Sequence, residues 1–204
     1  MILAHTLQGS RRISGDWYDG TIPDNVTLDA ESHIESSYAF VCFRSCLRPA
    51  LTVGRGSAVY QTTRFNVGLH GRIDIGDFVT INDAEFVCDN RIRIGAYSLL
   101  SWNVILMDSY RAPRSVRARR KFLRTLIEFD DWGATDSQRA KPIDIGDNVW
   151  IAHGVVVLPG VSIGRGSVIG ARSVVFESLP EYCVAAGNPA RVIRRLNQPA
   201  TTCP

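Results

Sequence analysis

This chain has few histidines and only a small net charge. Its 204 residues include 4 histidines, and 23 Lys and Arg nearly offset 20 Asp and Glu, leaving a formal net charge of +3. Such a small excess gives no reason to expect a nucleic-acid partner. No apolar run approaches the roughly 20 residues that span a membrane, and the first residues lack the pattern of a secretory signal. We therefore expect a cytoplasmic chain of one domain's length that has no membrane partner.

Metal-ligating residues are also too scattered to predict a metal site. The 5 cysteines are an odd number at low density, which excludes a disulfide scaffold. Cys42 and Cys46 have no second pair of ligands nearby in the sequence, so a structural zinc is not expected. The histidines have no close paired spacing, which argues against a zinc enzyme with three histidine ligands.

Branched apolar residues recur at every sixth position between Ile143 and Val175. Neither the 3.6-residue period of a helix nor the 2-residue period of a strand explains this spacing. A turn every six residues instead predicts stacked coils of three short strands, in which the branched residue points inward. One register is Ile145, Ile151, Val157, Ile163, Ile169 and Val175, and a second is Ile143, Val149, Val155 and Val161.

This pattern resembles the hexapeptide-repeat family, and the resemblance implies an all-β fold, a left-handed parallel β-helix. The same step occurs earlier in the chain, so we count about five coils. The resemblance also implies a homotrimer with sites between subunits. The earlier sets are Val53, Val59 and Phe65, then Ile75, Ile81 and Val87, then Ile94, Leu100 and Leu106.

The period divides the chain into three parts. Residues 1–50 are expected to form an N-terminal cap and a first irregular coil. Residues 51–178 form the β-helix, interrupted by an extruded loop at 107–141 that is rich in arginine and lacks the six-residue step. Within this loop, the apolar spacing from Ser115 to Phe129 predicts an amphipathic helix. Its cations indicate a solvated helix face or a site for an anionic ligand. Residues 179–204 form a tail that closes a ligand groove.

The tail carries the more specific resemblance. Its segment VAAGNPARVIRR, from Val184 to Arg195, is similar to the end of the β-helix in the galactoside, maltose and xenobiotic acetyltransferases. The resemblance implies acyl-CoA, normally acetyl-CoA, as co-substrate and requires no metal. It implies that Trp150 packs on the pantetheine arm and that backbone groups near Ala152 and Ala171 bond it. The resemblance also implies that Arg191 and Arg194 lie where members of the family contact the CoA phosphates.

The chain departs from this group at the catalytic base. The group has a histidine just after the coil that ends at Leu106, where this sequence reads MDSYRAP and has no histidine. His153 could supply the base from another position, because imidazole titrates near neutral pH. Asp108 could replace it if burial raised its pKa. A third reading is that acyl transfer has been lost.

Polar residues of the second regular coil predict the acceptor side of the site. By resemblance, Asn82 contacts the acceptor or the oxyanion and Asp89 lies at the substrate end. Asp83 adds an acid there, and Tyr110 stands at the loop root. The sequence therefore predicts a CoA-dependent acyltransferase that acts on a hydroxyl or amine of a small molecule, such as a sugar or secondary metabolite. The alternative is a divergent β-helix that binds a small molecule or catalyses another reaction.

Overall fold

The computed structural model describes residues 11–129 and 139–198 and shows a parallel β-helix of triangular section. Three parallel sheets form the sides, and the chain visits them in the order sheet 1, sheet 2, sheet 3. The middle of the predicted loop, residues 130–138, and the end of the predicted tail, residues 199–204, lie outside the described residues.

The strands are short, as a turn every six residues requires. Sheet 1 contains β1 Val26–Leu28, β3 Leu51–Val53, β6 Arg72–Ile75, β9 Arg91–Ile94, β12 Ile143–Ile145 and β15 Ser162–Ile163. Sheet 2 contains β2 His33–Ile34, β4 Ala58–Tyr60, β7 Thr80–Asn82, β10 Leu99–Leu100, β13 Trp150–Ile151, β16 Val168–Ile169, β18 Cys183–Gly187 and β19 Ala190–Arg195. Sheet 3 contains β5 Arg64–Val67, β8 Glu85–Cys88, β11 Ile105–Met107, β14 Val156–Val157 and β17 Val174–Val175.

Six strands in sheet 1 make six coils, one more than the sequence count of about five. The additional coil comes from β1, β2 and a short 3-10 helix, Ser37–Phe40, which replaces a third strand. The six-residue step is weak there because that side is not a strand. The fold class is otherwise as predicted, an all-β left-handed parallel β-helix.

The repeated branched residues fill the interior of the triangle. Ile81, Leu100 and Ile151 are fully buried in successive coils of sheet 2, in register with one another. Burial of each such side chain contributes about 1.5–3 kcal/mol. The prediction for Val87 was wrong: Phe86 points inward and Val87 does not, because the preceding corner is one residue shorter than the period requires.

Three stacked corners join the sheets, and they position every candidate residue. The 2–3 corner, between sheets 2 and 3, contains Asp83, Asn103, His153, Gly154, Ala171 and Arg172. The 3–1 corner contains Gly68, Gly71, Asp89, Asn90, Asp108, Lys141, Pro159 and Gly160. The 1–2 corner contains Arg55, Phe78, Tyr97, Asn148 and Arg165. Backbone bonds such as Arg172 N–H to the His153 carbonyl, 2.8 Å, stack each corner on the next.

The extruded segment leaves and rejoins the fourth and fifth coils at the 3–1 corner. It contains helix α1, Val116–Phe129, which confirms the predicted helix. This helix is too short and polar to cross a membrane, and no other described helix could do so. The tail does not form a further coil, since β18 and β19 pair antiparallel as a hairpin at the end of sheet 2.

Candidate functional site

A column of outward-facing side chains runs along sheet 2, parallel to the helix axis. Each residue stands beside the next in strand register, from Leu99 through Trp150 to Arg194. Four strand spacings separate the ends, a length of about 19 Å. The column is apolar along its length and cationic at the tail end. In order it comprises Leu99, Trp150, Val168, Val184 and Arg194.

Trp150 is the largest apolar surface in this column. Its side chain is 48% exposed, and its indole N–H donates to the Ser101 hydroxyl at 3.2 Å. An exposed indole held by a hydrogen bond presents a fixed apolar face to a ligand. Arg191 lies beyond the column on β19, where Nη2 is 3.5 Å from a carboxylate oxygen of Glu177 in an exposed ion pair.

Ala152 and His153 follow Trp150 directly and turn the chain from sheet 2 into the 2–3 corner. The Ala152 amide N–H donates to the Ile169 carbonyl at 3.0 Å, which stacks this corner on the next coil. Ala171 is exposed in the next coil of the same corner. The His153 side chain is exposed and makes no hydrogen bond within the described residues.

A polar groove of about 400 Å³ starts one coil away from His153 and runs along the near edge of sheet 3. Its lining contains one ion pair and one hydrogen bond: Arg64 Nη2 is 2.6 Å from a Glu85 carboxylate oxygen, and the Thr62 hydroxyl donates to Asp83. Such a lining suits a ligand rich in hydroxyl groups. The polar lining comprises Tyr38, Thr62, Arg64, Asp83, Glu85 and Asn103.

The aromatic cap of the first coil extends this groove. Trp17 packs against Tyr38 with ring centroids 5.2 Å apart. Asp16 holds the cap in place by accepting hydrogen bonds from the Ser36 hydroxyl and the Ser37 amide. Burial alone would raise the pKa of Asp16, but these hydrogen bonds outweigh it and the pKa is lowered.

Asn82 lies at the 2–3 corner, where its amide Nδ2 donates to the Leu100 carbonyl at 3.3 Å. One N–H of this amide therefore supports the next coil, and the other remains for a ligand. The structure thus brings Asn82, Asp83, Ala152, His153 and Ala171 to a single corner, beside the sheet 2 column.

Asp89, Asp108 and Tyr110 lie instead at the 3–1 corner, on the far edge of sheet 3. In the coil that carries His153, Pro159 follows six positions later across sheet 3, about 20 Å in a fully extended chain. His153 and Asp108 therefore lie at opposite edges of sheet 3.

Asp108 is completely buried. One carboxylate oxygen accepts from the Asp89 amide and the other from the Asn90 amide, both at 2.8 Å. Burial, with the nearby charge of Asp89, raises the pKa of Asp108, although the two amide hydrogen bonds act in the opposite direction. The raised pKa suits a base, but both oxygens already hold the neighbouring coil.

A family model described as bacterial transferase hexapeptide (six repeats) matches residues 142–177. Residues 142–177 of this chain therefore carry hexapeptide repeats. Over 133 residues it is 56% identical to a Saccharomyces cerevisiae protein provisionally named an acetyltransferase, a match that covers 63% of this chain and 62% of that protein. A Staphylococcus aureus (strain MRSA252) protein with the same provisional name is 52% identical over 60 residues, 29% of this chain and 30% of that protein. The matches thus span under two thirds of each curated relative.

Solved structures share the fold of this chain. The polySia specific acetyltransferase NeuO superposes with a TM-score of 0.55 at 28% identity, over 74% of this chain and 59% of that chain. The hexapeptide-repeat acetyltransferase VCA0836 of Vibrio cholerae, complexed with acetyl-CoA, gives a TM-score of 0.51 at 24% identity, over 84% of this chain and 68% of that chain. At the latter identity the likeness establishes the fold only.

One residue that sequence reasoning missed is Arg111. Its guanidinium lies where the resemblance implies a histidine, and Nη2 is 2.8 Å from a carboxylate oxygen of Asp89. It also donates to the side-chain and backbone oxygens of Asn66. The available signal was the interval between Asp89 and Arg111, which is close to the length of one coil.

Proposed function

We propose that this protein is an acyltransferase that moves an acyl group, most simply acetyl, from CoA to a hydroxyl or amine of a small molecule. The observation that carries the proposal is the position of His153 between the sheet 2 column and the polar groove. The relatives named as acetyltransferases and the structural likeness to NeuO support the same reaction class. NeuO is described as specific for polySia, and the paired polar lining of the groove favours a sugar-like acceptor here as well.

The proposed CoA site is the sheet 2 column. Its length of about 19 Å suits an extended pantetheine arm. Trp150 packs on this arm, and Arg191 and Arg194 contact the phosphates, for which a guanidinium offers a fixed charge and forked donors. The carbonyl of Ala152 and the backbone near Ala171 bond the end of the arm at the 2–3 corner. CoA is a co-substrate in this proposal, and no metal takes part.

The proposed chemistry takes place at the 2–3 corner. His153 removes a proton from the acceptor as its oxygen or nitrogen attacks the thioester carbonyl. The free N–H of Asn82 stabilises the oxyanion of the tetrahedral intermediate. The intermediate then collapses, and the CoA sulfur leaves and takes up a proton. Asp83 contacts the acceptor in the groove.

Asp108 is the alternative base, and Asp89 and Tyr110 are the acceptor contacts that would accompany it at the 3–1 corner. That arrangement requires the loop root of one chain to meet the CoA column of another.

We propose a homotrimer, in which an adjacent copy covers the exposed apolar side chains of sheet 2 and its corner. These are Leu99, Trp102 and Trp150, which are 37%, 48% and 48% exposed.

A second candidate function is ligand binding without acyl transfer. It is favoured by the absence of any described hydrogen bond that orients the His153 ring, since bases of this kind are normally held by a second polar group. On this reading the corner and groove bind a small molecule, and the thioester is not consumed.

The two candidates are separated by melting temperature and by thioester consumption. Ligand at 100 times its dissociation constant stabilises a folded protein by about 2.7 kcal/mol, which raises the melting temperature by a few degrees. We expect this rise with CoA and acetyl-CoA, and a smaller one with ATP, which supplies phosphates without the pantetheine arm. Loss of thioester with a panel of sugars then establishes transfer. If CoA gives no rise above that of ATP, the proposal is wrong.

A further inference from the structure

A second cavity lies at the root of the extruded segment, at the 3–1 corner and away from His153. Both stems of the segment line it, with Ser109, Tyr110, Arg111 and Arg114 on one stem and Arg139 and Lys141 on the other. We call it the loop-root pocket. Its volume of about 110 Å³ equals roughly three to four water molecules at 30 Å³ each. That space accommodates one carboxylate or phosphate group.

Four cationic side chains converge on this small volume. The charge of Arg111 is offset by the carboxylate of Asp89. The Arg114 and Lys141 side chains make no ion pair or hydrogen bond with the described residues. Like charges brought together repel one another, and an anion between them removes this cost.

The backbone around Lys141 fixes this cation at the pocket. Its amide donates to the Asp108 carbonyl at 2.8 Å, and its carbonyl accepts from the Gly160 amide at 3.1 Å. Its aliphatic stem passes directly over Gly160, where an added Cβ would lie 3.1 Å from the Lys141 Cδ. The β-helix itself therefore positions this charge, even though the residue belongs to the extruded segment.

The pocket also offers neutral hydrogen-bond donors. Ser109 is buried, and its Oγ accepts from the Arg111 amide at 3.2 Å, which leaves the hydroxyl proton without an acceptor among the described residues. Tyr110 adds a phenol to the rim. Hydrogen bonds from charged donors to an oxyanion are about twice as strong as neutral ones.

We infer that the loop-root pocket binds the phosphate or carboxylate group of a small ligand and ties the two stems of the extruded segment together. This site is distinct from the proposed acyl-transfer corner and does not depend on it. The anion can come from a free small molecule or from the phosphates of CoA bound to a neighbouring copy. Only in the second case should CoA compete with inorganic phosphate for the pocket.

The test is titration calorimetry of the full chain with inorganic phosphate at constant ionic strength. We expect saturable binding that Lys141→Met and Arg114→Gln each weaken by about tenfold or more, because each removes a charged donor. Lys141→Met keeps the stem over Gly160, so it preserves packing. Arg55→Gln removes one positive charge at the 1–2 corner and should change phosphate affinity less than about twofold.

The inference is wrong if phosphate does not bind saturably, or if Arg55→Gln weakens binding as much as the pocket variants do. Binding that persists in saturating CoA supports the pocket as a site for a free anion. If CoA competes with phosphate in wild type and Lys141→Met abolishes this competition, the pocket is a site for the phosphates of CoA. Neither result depends on thioester consumption, so failure of the proposed function would be recognised separately.

Discussion

Arg111 forms a bidentate ion pair with Asp89 at the root of the extruded segment. Nε lies 3.0 and 3.1 Å from the two carboxylate oxygens, and Nη2 lies 2.8 Å from one of them. The side chains are 18% and 6% exposed, so this pair is largely removed from solvent. Since Asp89 belongs to one coil and Arg111 to the segment that follows the next, the pair fastens the segment to the β-helix.

We expect Arg111→Met to lower the free energy of unfolding by about 3–5 kcal/mol, because it leaves the buried Asp89 carboxylate without its partner. Urea unfolding measures the loss. Adding Asp89→Asn should recover much of it, since the unpaired charge is then gone. Arg93→Gln, which breaks the exposed pair with Asp144, is the matched control and should cost no more than about 1 kcal/mol. Equal losses in the two single variants would contradict the argument.

His153→Asn should lower kcat for acyl transfer by about 10²–10⁴-fold, the usual contribution of a general base. The measurement is kcat with saturating acetyl-CoA and a sugar acceptor. His70→Asn, an exposed histidine at the 3–1 corner, is the control and should retain full activity. A wild-type rate in His153→Asn would transfer the role to Asp108.

Trp150→Ala should weaken CoA binding by about 3–10-fold, because an aromatic contact contributes roughly 0.5–1.5 kcal/mol beyond its buried area. Ser101→Ala should have a smaller effect, since it removes only the acceptor of the indole N–H. Trp17→Ala removes an exposed tryptophan near the groove and should leave CoA affinity unchanged. Calorimetric titration with CoA checks all three. A CoA affinity equal to that of wild type in Trp150→Ala would exclude the sheet 2 column as the site of the arm.

Asp108 gives the stability of the protein a pH dependence of known sign. Its pKa in the folded state is raised above the ordinary value of 3.8, so the folded state binds the proton more tightly than the unfolded chain does. The resulting stabilisation is fully present below the unfolded pKa and is lost as the pH rises through the folded pKa. The carboxyl groups of Asp16 and Asp74, whose pKa values are lowered, act in the opposite direction.

Comparison with Asp108→Asn isolates this contribution, because Asn cannot titrate. The stability of wild type relative to the variant should be greatest at low pH and should decline as the pH rises above the ordinary aspartate pKa of 3.8. Urea unfolding of both proteins over a series of pH values measures the difference. A difference that is constant with pH, or that grows as the pH rises, would show that the pKa of Asp108 is not raised.

The coils could be predicted from the sequence, because the six-residue period of branched apolar residues identifies the side chains that point inward. It was less informative about corners. Asp89 and Asp108 share a corner because they are one coil apart, whereas the irregular interval between Asp108 and His153 hides the fact that they lie on opposite edges of sheet 3. Val87 was misplaced for the same reason, since a single shortened corner moves the inward position by one residue.

The candidate site was only partly predictable, because its contacts join residues from different coils. Trp150 and the tail arginines were found through a local motif, and the structure aligns Trp150 with Arg194 along one face. The groove combines Tyr38 with residues as distant in sequence as Asn103, and no local pattern links them. Arg111 could be found only by asking which cation lies one coil from a buried acid.

The bond from the Lys141 amide to the Asp108 carbonyl closes the coil at the point where the extruded segment begins and ends. Residues 109–140 are therefore an insertion into the β-helix whose two ends, Asp108 and Lys141, are joined by one backbone hydrogen bond. Apart from Arg111, which pairs with Asp89, the sequence between those two residues can lengthen, shorten or change its charge without altering the stacking of the coils above and below it. New ligand contacts can therefore be built at this junction without disturbing the 2–3 corner on the other edge of sheet 3.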